Sequence, residues 1–325
     1  MAGTWIAGDW GTTSLRLFLC DGTRVLGPRV LGPRVLGPRV LDRRDGPGVA
    51  QVAGGAAGFA ALIADLTAAW RAEGAVLPTL LGGMVGSTIG WVEVPYLDCP
   101  TGLDGLAAGL HRLGPAVPGL DIAIVPGLAC VRDGGVPDVM RGEEVQIAGA
   151  IARDPRLTVG NHLLCLPGTH TKWAILTEGR IPAFRTALAG ELYAVLRGHS
   201  VLLRGVAADA VPDDAAFADG MARAAAGTGL LHLLFETRAR QLRGGMTGPA
   251  AASFLSGLII GADVVDGLTL APRGTPVTVI GAPALAALYA RTLAHHGVNA
   301  CVVDGGEASL AGLAALHTTL STKTG

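Results

Sequence analysis

Ile6-Ala7-Gly8-Asp9-Trp10-Gly11-Thr12-Thr13 opens the chain, and Leu164-Cys165-Leu166-Pro167-Gly168-Thr169-His170-Thr171 repeats the plan midway along its 325 residues. In each, an apolar strand runs into a tight turn carrying Gly and Thr. Such a turn aims backbone N–H groups and hydroxyls at one point, which suits phosphate oxygens. Either unit alone reads equally well as an ordinary hairpin turn. The pair, one in each half, points to phosphate binding. The first unit adds a carboxylate, Asp9, where a hydrated Mg²⁺ can sit. No G-x-x-x-x-G-K-[ST] run occurs, so neither turn is a Walker A loop.

Outward from these turns, strands and helices alternate. Leu15, Leu17 and Leu19 alternate with Arg16, Phe18 and Cys20, as in a half-buried strand. Phe59, Leu62, Ile63, Leu66 and Trp70 recur at helical spacing, and Gly74 follows as a cap. Val76–Leu81 and Ile122–Val125 read as buried strands, and Glu143–Ile151 as a helix. The pattern restarts with strands at His162–Leu166 and Trp173–Leu176. Helices follow over Leu188–Leu203, Ala215–Ala225 and Leu230–Leu242, and another starts at Pro249, a residue suited to the first helical position. Strand, helix, strand and helix at Val277–Ile280, Pro283–His295, Ala300–Val303 and Glu307–His317 complete the chain. The expected fold is α/β in two domains, residues 1–155 and 156–325, with the return of the last helix onto the first domain left open.

Composition narrows the function. Half the residues are hydrophobic and 16% are charged, with a net charge of −1 and 49 glycines. Such a chain can bury a sizeable core, and it lacks the basic excess that nucleic acid calls for. Its three longest charge-free runs, Gly46–Ala64, Gly74–Val92 and Gly244–Ala262, each hold five glycines and a proline within nineteen positions. They read as loop, strand and helix units of a packed core rather than membrane spans. The first residues lack the basic and apolar regions of a signal peptide. The five cysteines are odd in number, widely spaced and without a C-x-x-C pair, which predicts a reduced, cytoplasmic setting. No nucleic-acid or membrane partner is expected, and a homodimer is left open.

Residues 24–41 read RVLGP-RVLGP-RVLGP-RVL. A period of five matches neither helix nor strand, and each Gly-Pro should break an element. The run is too short for a solenoid. It is expected to be a tandem expansion tolerated in a surface turn, where added loop length costs little.

With Asp9-Trp10-Gly11-Thr12-Thr13 at one end and a second Gly-Thr turn halfway, the chain resembles the actin/hexokinase/Hsp70 superfamily. That resemblance implies two ribonuclease H-like domains with a nucleotide in the cleft between them. It also implies a third element, a strand, a glycine and a helix, that cups the adenosine; Val279-Ile280-Gly281-Ala282-Pro283 matches it. Further motifs occur in order: Leu15-Arg16, Gly83-Met84-Val85-Gly86-Ser87 with Gly90-Trp91, Pro95-Tyr96, Val139-Met140-Arg141-Gly142-Glu143-Glu144, Pro167-Gly168-Thr169-His170-Thr171-Lys172-Trp173, and Phe184-Arg185-Thr186 with Gly190-Glu191-Leu192. Together they resemble the 2-dehydro-3-deoxygalactonokinase family from about residue 5 to 312. The RVLGP expansion departs from that pattern but lies outside every motif.

The resemblance implies transfer of the ATP γ-phosphate to the 6-hydroxyl of 2-dehydro-3-deoxy-D-galactonate, with ATP and Mg²⁺ as cofactors. Asp9 would hold Mg²⁺ through water. Gly11, Thr12, Thr13, Gly168 and Thr169 would contact phosphates, and Gly281 would allow close approach of the adenosine. Phosphoryl transfer also calls for a carboxylate to accept the alcohol proton. Glu143 is the preferred base, since adjacent helix positions face about 100° apart; Glu144 and Asp138 are the alternatives. A helix N-terminus that simply favours acidic residues gives a purely structural account of the pair. Only two lysines are present, so arginine is expected to clamp the substrate carboxylate: Arg141 first, then Arg16 and Arg185. Gly83, Met84, Gly86 and Ser87 form the expected sugar loop, with Trp91, Glu93 and Tyr96 beside it, though Trp91 suits the core equally. His170 and His199 are expected to be hydrogen-bonded structural residues. A six-membered hemiketal would consume the 6-hydroxyl, so an open or five-membered form must react. The alternatives are a kinase for the gluconate-derived epimer and a non-catalytic nucleotide-binding regulator or filament protein of the same fold.

Overall fold

The apolar run at the start becomes β1 (Thr4–Trp10), an interior strand whose side chains are almost all buried. The computed structural model describes residues 3–26, 35–71, 74–207, 209, 211–227 and 229–323. The chain divides into two compact units, one of residues 1–161, 176–184 and 303–325, the other of residues 162–175 and 185–302.

In the first unit β1 is followed by β2 (Ser14–Leu26), β3 (Val35–Pro47), α1 (Gly55–Leu66), β4 (Leu77–Gly83), β5 (Leu97–Asp98), α2 (Leu103–Ala108), β6 (His111–Arg112), β7 (Leu120–Ile124), β8 (Leu128–Arg132), β9 (Val136–Met140) and α3 (Glu143–Arg153). Six of the strands form one sheet in the order β3-β2-β1-β4-β7-β6. β1 runs antiparallel to β2 and parallel to β4, and β4 runs parallel to β7. This is the ribonuclease H-like order, a three-strand meander joined to parallel strands. The core beneath it gathers Trp10, Leu15, Leu17, Phe59, Ile63, Leu81, Val85 and Trp91. A second, three-stranded sheet, β5-β8-β9, is not legible from hydrophobic alternation, because Gly134, Gly135 and Pro137 interrupt its hairpin.

The chain continues with β10 (Asn161–Leu166), β11 (Thr171–Thr177), β12 (Arg180–Ala187), α4 (Ala189–His199), α5 (Asp214–Ala225), α6 (Leu230–Arg243), α7 (Gly248–Gly267), β13 (Val277–Gly281), α8 (Pro283–His295), β14 (Cys301–Asp304) and α9 (Gly305–Lys323). The second large sheet has the order β12-β11-β10-β13-β14, the same plan as the first, and β13 is parallel to β10. The expectation of an α/β chain built from two ribonuclease H-like halves is met by this repeated strand order. α9 belongs to the first unit, where it lies along α3.

Glycine is what lets the helices approach. A Cβ on Gly149 of α3 would lie 1.8 Å from the Ala308 carbonyl oxygen of α9, and one on Gly312 would lie 2.0 Å from that of Val145. α5 and α7 meet the same way at Gly220 and Gly257, where a Cβ would come within 2.2 Å of the facing carbonyls of Phe254 and Phe217. α7 with its following turn to Leu270 is, among the described residues, long and apolar enough to cross a membrane; 67% of its apolar window is buried in the fold. It packs against α4, α5, α6 and α8.

One Gly-Pro pair of the repeat, Gly37-Pro38, departs from expectation. Residues 27–34 lie outside the described residues, but on either side the hairpin extends rather than breaks, pairing Arg24 with Gly37, Val25 with Leu36 and Leu26 with Val35. Gly37 and Pro38 are inside β3. Pro38 is tolerated because β3 is an edge strand and because it sits at a bulge, where Gly22 and Thr23 oppose one residue. Gly22 takes the positive φ of 53° that such an irregularity needs.

Candidate active site

In the first unit the sheet brings the motif residues to the ends of β1 and β4. The β1–β2 turn is closed by the Gly11 N–H, which donates to the Ser14 carbonyl at 2.9 Å. The Val49 and Ala50 N–H groups donate to the Gly11 and Thr12 carbonyls, and Gly48 fits there because a Cβ would lie 2.2 Å from the Thr12 oxygen. Thr12 and Thr13 are left exposed at the tip. Sequence reasoning missed Gly48; its only signal is a Gly-Pro-Gly run ahead of a helix. Asp9 pairs across the strands with Arg16, whose Nη2 is 2.5 Å from Asp9 Oδ2. Arg16, expected to bind substrate, is therefore engaged by the proposed metal carboxylate. Their facing positions in the antiparallel register bring this about.

Asp9 also lies opposite Gly82, and Trp10 opposite Gly83. Gly83 has a φ of 93°, and a Cβ there would meet the Trp10 carbonyl oxygen at 2.7 Å, so only glycine lets β4 turn into the loop. Met84–Gly86 makes a single helical turn, fixed by the Ser87 hydroxyl donating to the Met84 carbonyl at 2.7 Å. Ser87 thus shapes the loop and is spoken for. Of its two readings, Trp91 takes the core one. It is buried and stacked on Phe59 at 6.2 Å, supporting the loop from the core side instead of offering a face to a ligand.

Arg141 ends β9 with only 8% of its surface exposed. Its Nη2 donates to the Val94 carbonyl at 2.6 Å, and its guanidinium lies 4.4 Å over the ring of Tyr96, which is itself 40% exposed. Gly86 makes room for it, since a Cβ would lie 2.9 Å from Nη1. Nε and Nη1 are buried and have no hydrogen-bond partner. A buried cation with unmet donors is costly.

α3 begins beside this arginine. Its cap, Gly142, has a φ of 106° and lies against Gly83. The two carboxylates that follow turn back on the helix end: Glu143 accepts from the Arg141 N–H at 3.1 Å, and Glu144 from the Gly142 N–H at 2.6 Å. They part in exposure. Glu143 is half-buried, whereas Glu144 has no exposed surface and its Oε1 has no partner. Burial, then the charge of Glu143, pushes the Glu144 carboxyl up to about 8. Asp138 is engaged elsewhere, 3.4 Å from Arg132.

In the second unit the β10–β11 turn is braced by α4. Gly190 rests on it so closely that a Cβ would lie 2.2 Å from the Gly168 carbonyl, and the Glu191 N–H donates to the Thr169 carbonyl at 2.8 Å. His170 Nε2 meets Glu191 Oε2 at 2.5 Å, the hydrogen-bonded histidine expected from sequence. Thr169 is exposed. Gly281, at the end of β13, lies against Pro167, with a Cβ reaching its carbonyl oxygen at 3.2 Å, so the third motif does join the second hairpin. A cavity of about 320 Å³ opens here, floored by Gly168 and Gly190 and walled by Tyr193, Phe217, Ile259, Ile260, Leu285 and Leu288, with Arg197, Asp213, Asp214, Ser253 and Ser256 as its polar and charged points. Its size and largely apolar lining fit a small ligand. Sequence reasoning missed this lining, since it comes from separate helices with no local motif. Arg185 belongs to this unit, where it pairs with Asp266 at 3.1 Å.

Two sheets of one strand order, each opened by a glycine–threonine hairpin, define an actin/hexokinase-like ATPase, here of the kinase type. Within that class, the chain belongs to the 2-keto-3-deoxy-galactonokinase family, whose model matches residues 9–316. It is 37% identical over 321 residues to a probable 2-dehydro-3-deoxygalactonokinase of Rhizobium meliloti, covering 97% of this chain and 96% of the relative. It is 33% identical over 313 residues to the 2-dehydro-3-deoxygalactonokinase of Escherichia coli, covering 96% and 97%. A crystal structure of a provisionally assigned 2-dehydro-3-deoxygalactonokinase from Sinorhizobium meliloti superposes with a TM-score of 0.82 at 35% identity, over 97% of this chain and 99% of that one.

Proposed function

We propose that this protein transfers the γ-phosphate of ATP to the 6-hydroxyl of 2-dehydro-3-deoxy-D-galactonate, giving ADP and the 6-phosphate, in the cytoplasmic degradation of galactonate. Family membership and the names of both relatives support the reaction. The observation within the chain that carries it is Arg141, a buried guanidinium with two unmet donors at the glycine loop, suited to the carboxylate of a sugar acid.

The residues divide the work by chemistry. The cavity beside Gly168, with Gly281 behind it, would take the adenosine. Gly168 and Thr169 would hold phosphate oxygens, as would Gly11, Thr12 and Thr13. The donor set fits a hydrated Mg²⁺: Asp9 offers one part-exposed carboxylate, and no cluster of three metal-binding side chains occurs among the described residues, as suits an ion held chiefly by phosphate. When bound, Mg²⁺ would neutralise phosphate charge, and Arg16 would keep the Asp9 carboxylate in place. Arg141 would fix the acid end of the substrate, and the Gly83–Gly90 backbone its hydroxyls. Glu143 would accept the 6-hydroxyl proton as that oxygen bonds to phosphorus and the bond to ADP breaks.

ADP release coupled to each epimer tests the substrate. The galactonate-derived acid should turn over faster by at least about tenfold; comparable rates would remove the galactonate assignment. Arg141→Gln should raise KM for the acid at least about tenfold and leave KM for ATP near its starting value. An unchanged KM for the acid would take the carboxylate away from Arg141.

A further inference from the structure

Four residues of the second unit form a buried polar chain that the account above leaves unused. Trp173 Nε1 donates to Asp263 Oδ1 at 2.8 Å, and the Tyr289 hydroxyl donates to Asp263 Oδ2 at 2.5 Å. Thr171 Oγ1 lies 2.7 Å from the Tyr289 hydroxyl. Burial, then the Asp263 charge, pushes the Tyr289 phenol above its ordinary range, so it stays a donor. Thr171 also bonds the Asp263 side chain, so the three groups form one cluster around that carboxylate. All four side chains are under 9% exposed.

The position of this chain is what gives it meaning. Thr171 and Trp173 belong to the strand leaving the second glycine–threonine turn. Asp263 sits on α7, whose Ser256, Ile259 and Ile260 wall the cavity, and Tyr289 on α8 lines the cavity itself. α7 is cut to fit: one turn beyond Asp263, a Cβ on Gly267 would lie 2.2 Å from the Trp173 ring. Asp263 and Gly267 thus share a helix face, one bonding the indole edge and the other admitting its face. A core that needed only stability could fill this space with apolar side chains, since buried polar groups cost unless every partner is met.

We infer that Asp263 and Tyr289 are positioning residues for the nucleotide, locking the Gly168–Thr169 turn to the two helices that wall the cavity. This deepens the kinase reading and rests on it. Tyr289→Phe keeps the ring and removes the hydroxyl; Thr171→Val keeps the shape and removes the other end of the same bond. By titration calorimetry of the full chain, each should weaken MgADP about fivefold. The double variant should lose less than the product of the two single losses, because both remove the Thr171–Tyr289 bond. Affinity for the sugar acid should stay unchanged. Wild-type MgADP affinity in both variants, with only the melting temperature lowered, would reduce the chain to a structural element and overturn the inference. Multiplying losses in the double variant would also overturn it, because the link would not be shared. If the unaltered protein binds no MgADP, the kinase reading itself falls and takes this inference with it.

Discussion

Glu144 shows what a single buried acid does to the molecule. Its unfolded carboxyl titrates near 4.5, but in the fold it is pushed up to about 8. Between those values the folded state holds a proton that the unfolded state has released, so stability declines as pH rises through the window. Glu144→Gln cannot ionise and can still accept from the Gly142 N–H. It should abolish that decline, melting at least about 2 °C above the parent near pH 8.5 and together with it near pH 4.5. Parallel melting curves across the window would contradict the assignment. At this scale the sequence was informative where charge is scarce. Asp9 and Arg141 stood out because few charged residues lie inside the motifs. It could not separate Glu143 from Glu144, because their difference is burial, set at the end of α3 by distant packing. Nor could it place Trp91, whose contact with Phe59 depends on chain brought together by the fold.

At the scale of elements, backbone contact between helices is decisive. α3 carries the Arg141–Glu144 corner at its start and is held by α9 through Gly149 and Gly312. Gly149→Ala drives a methyl into the Ala308 carbonyl and should cost at least about 2 kcal/mol in urea denaturation; a loss below about 0.5 kcal/mol would show that the helices can part without strain. The β2–β3 hairpin is the opposite case. Deleting residues 24–38 removes no proposed site residue, so kcat/KM should stay within about twofold. A collapse of activity would give the repeat a role. The hairpin's strands were misread from sequence because Gly-Pro usually ends a strand. An edge position and a bulge removed that penalty here.

At the scale of the whole molecule, the repeated hairpin and the alternation of strands and helices pointed to two α/β halves, the resemblance implied that each is ribonuclease H-like, and the repeated strand order bears this out. The cavity was not legible, because α4, α5, α7, α8 and the stretch before α5 each contribute a few side chains with no shared spacing. The adenosine role proposed for it rests on its place beside Gly168. The reaction is tested most directly by phosphorus NMR of the product made by the full chain from ATP and 2-dehydro-3-deoxy-D-galactonate. The account predicts one phosphate ester per ADP, its phosphorus coupled to the two protons of the terminal carbon. Phosphorus on a secondary carbon, or ADP release that does not depend on the sugar acid, would contradict it.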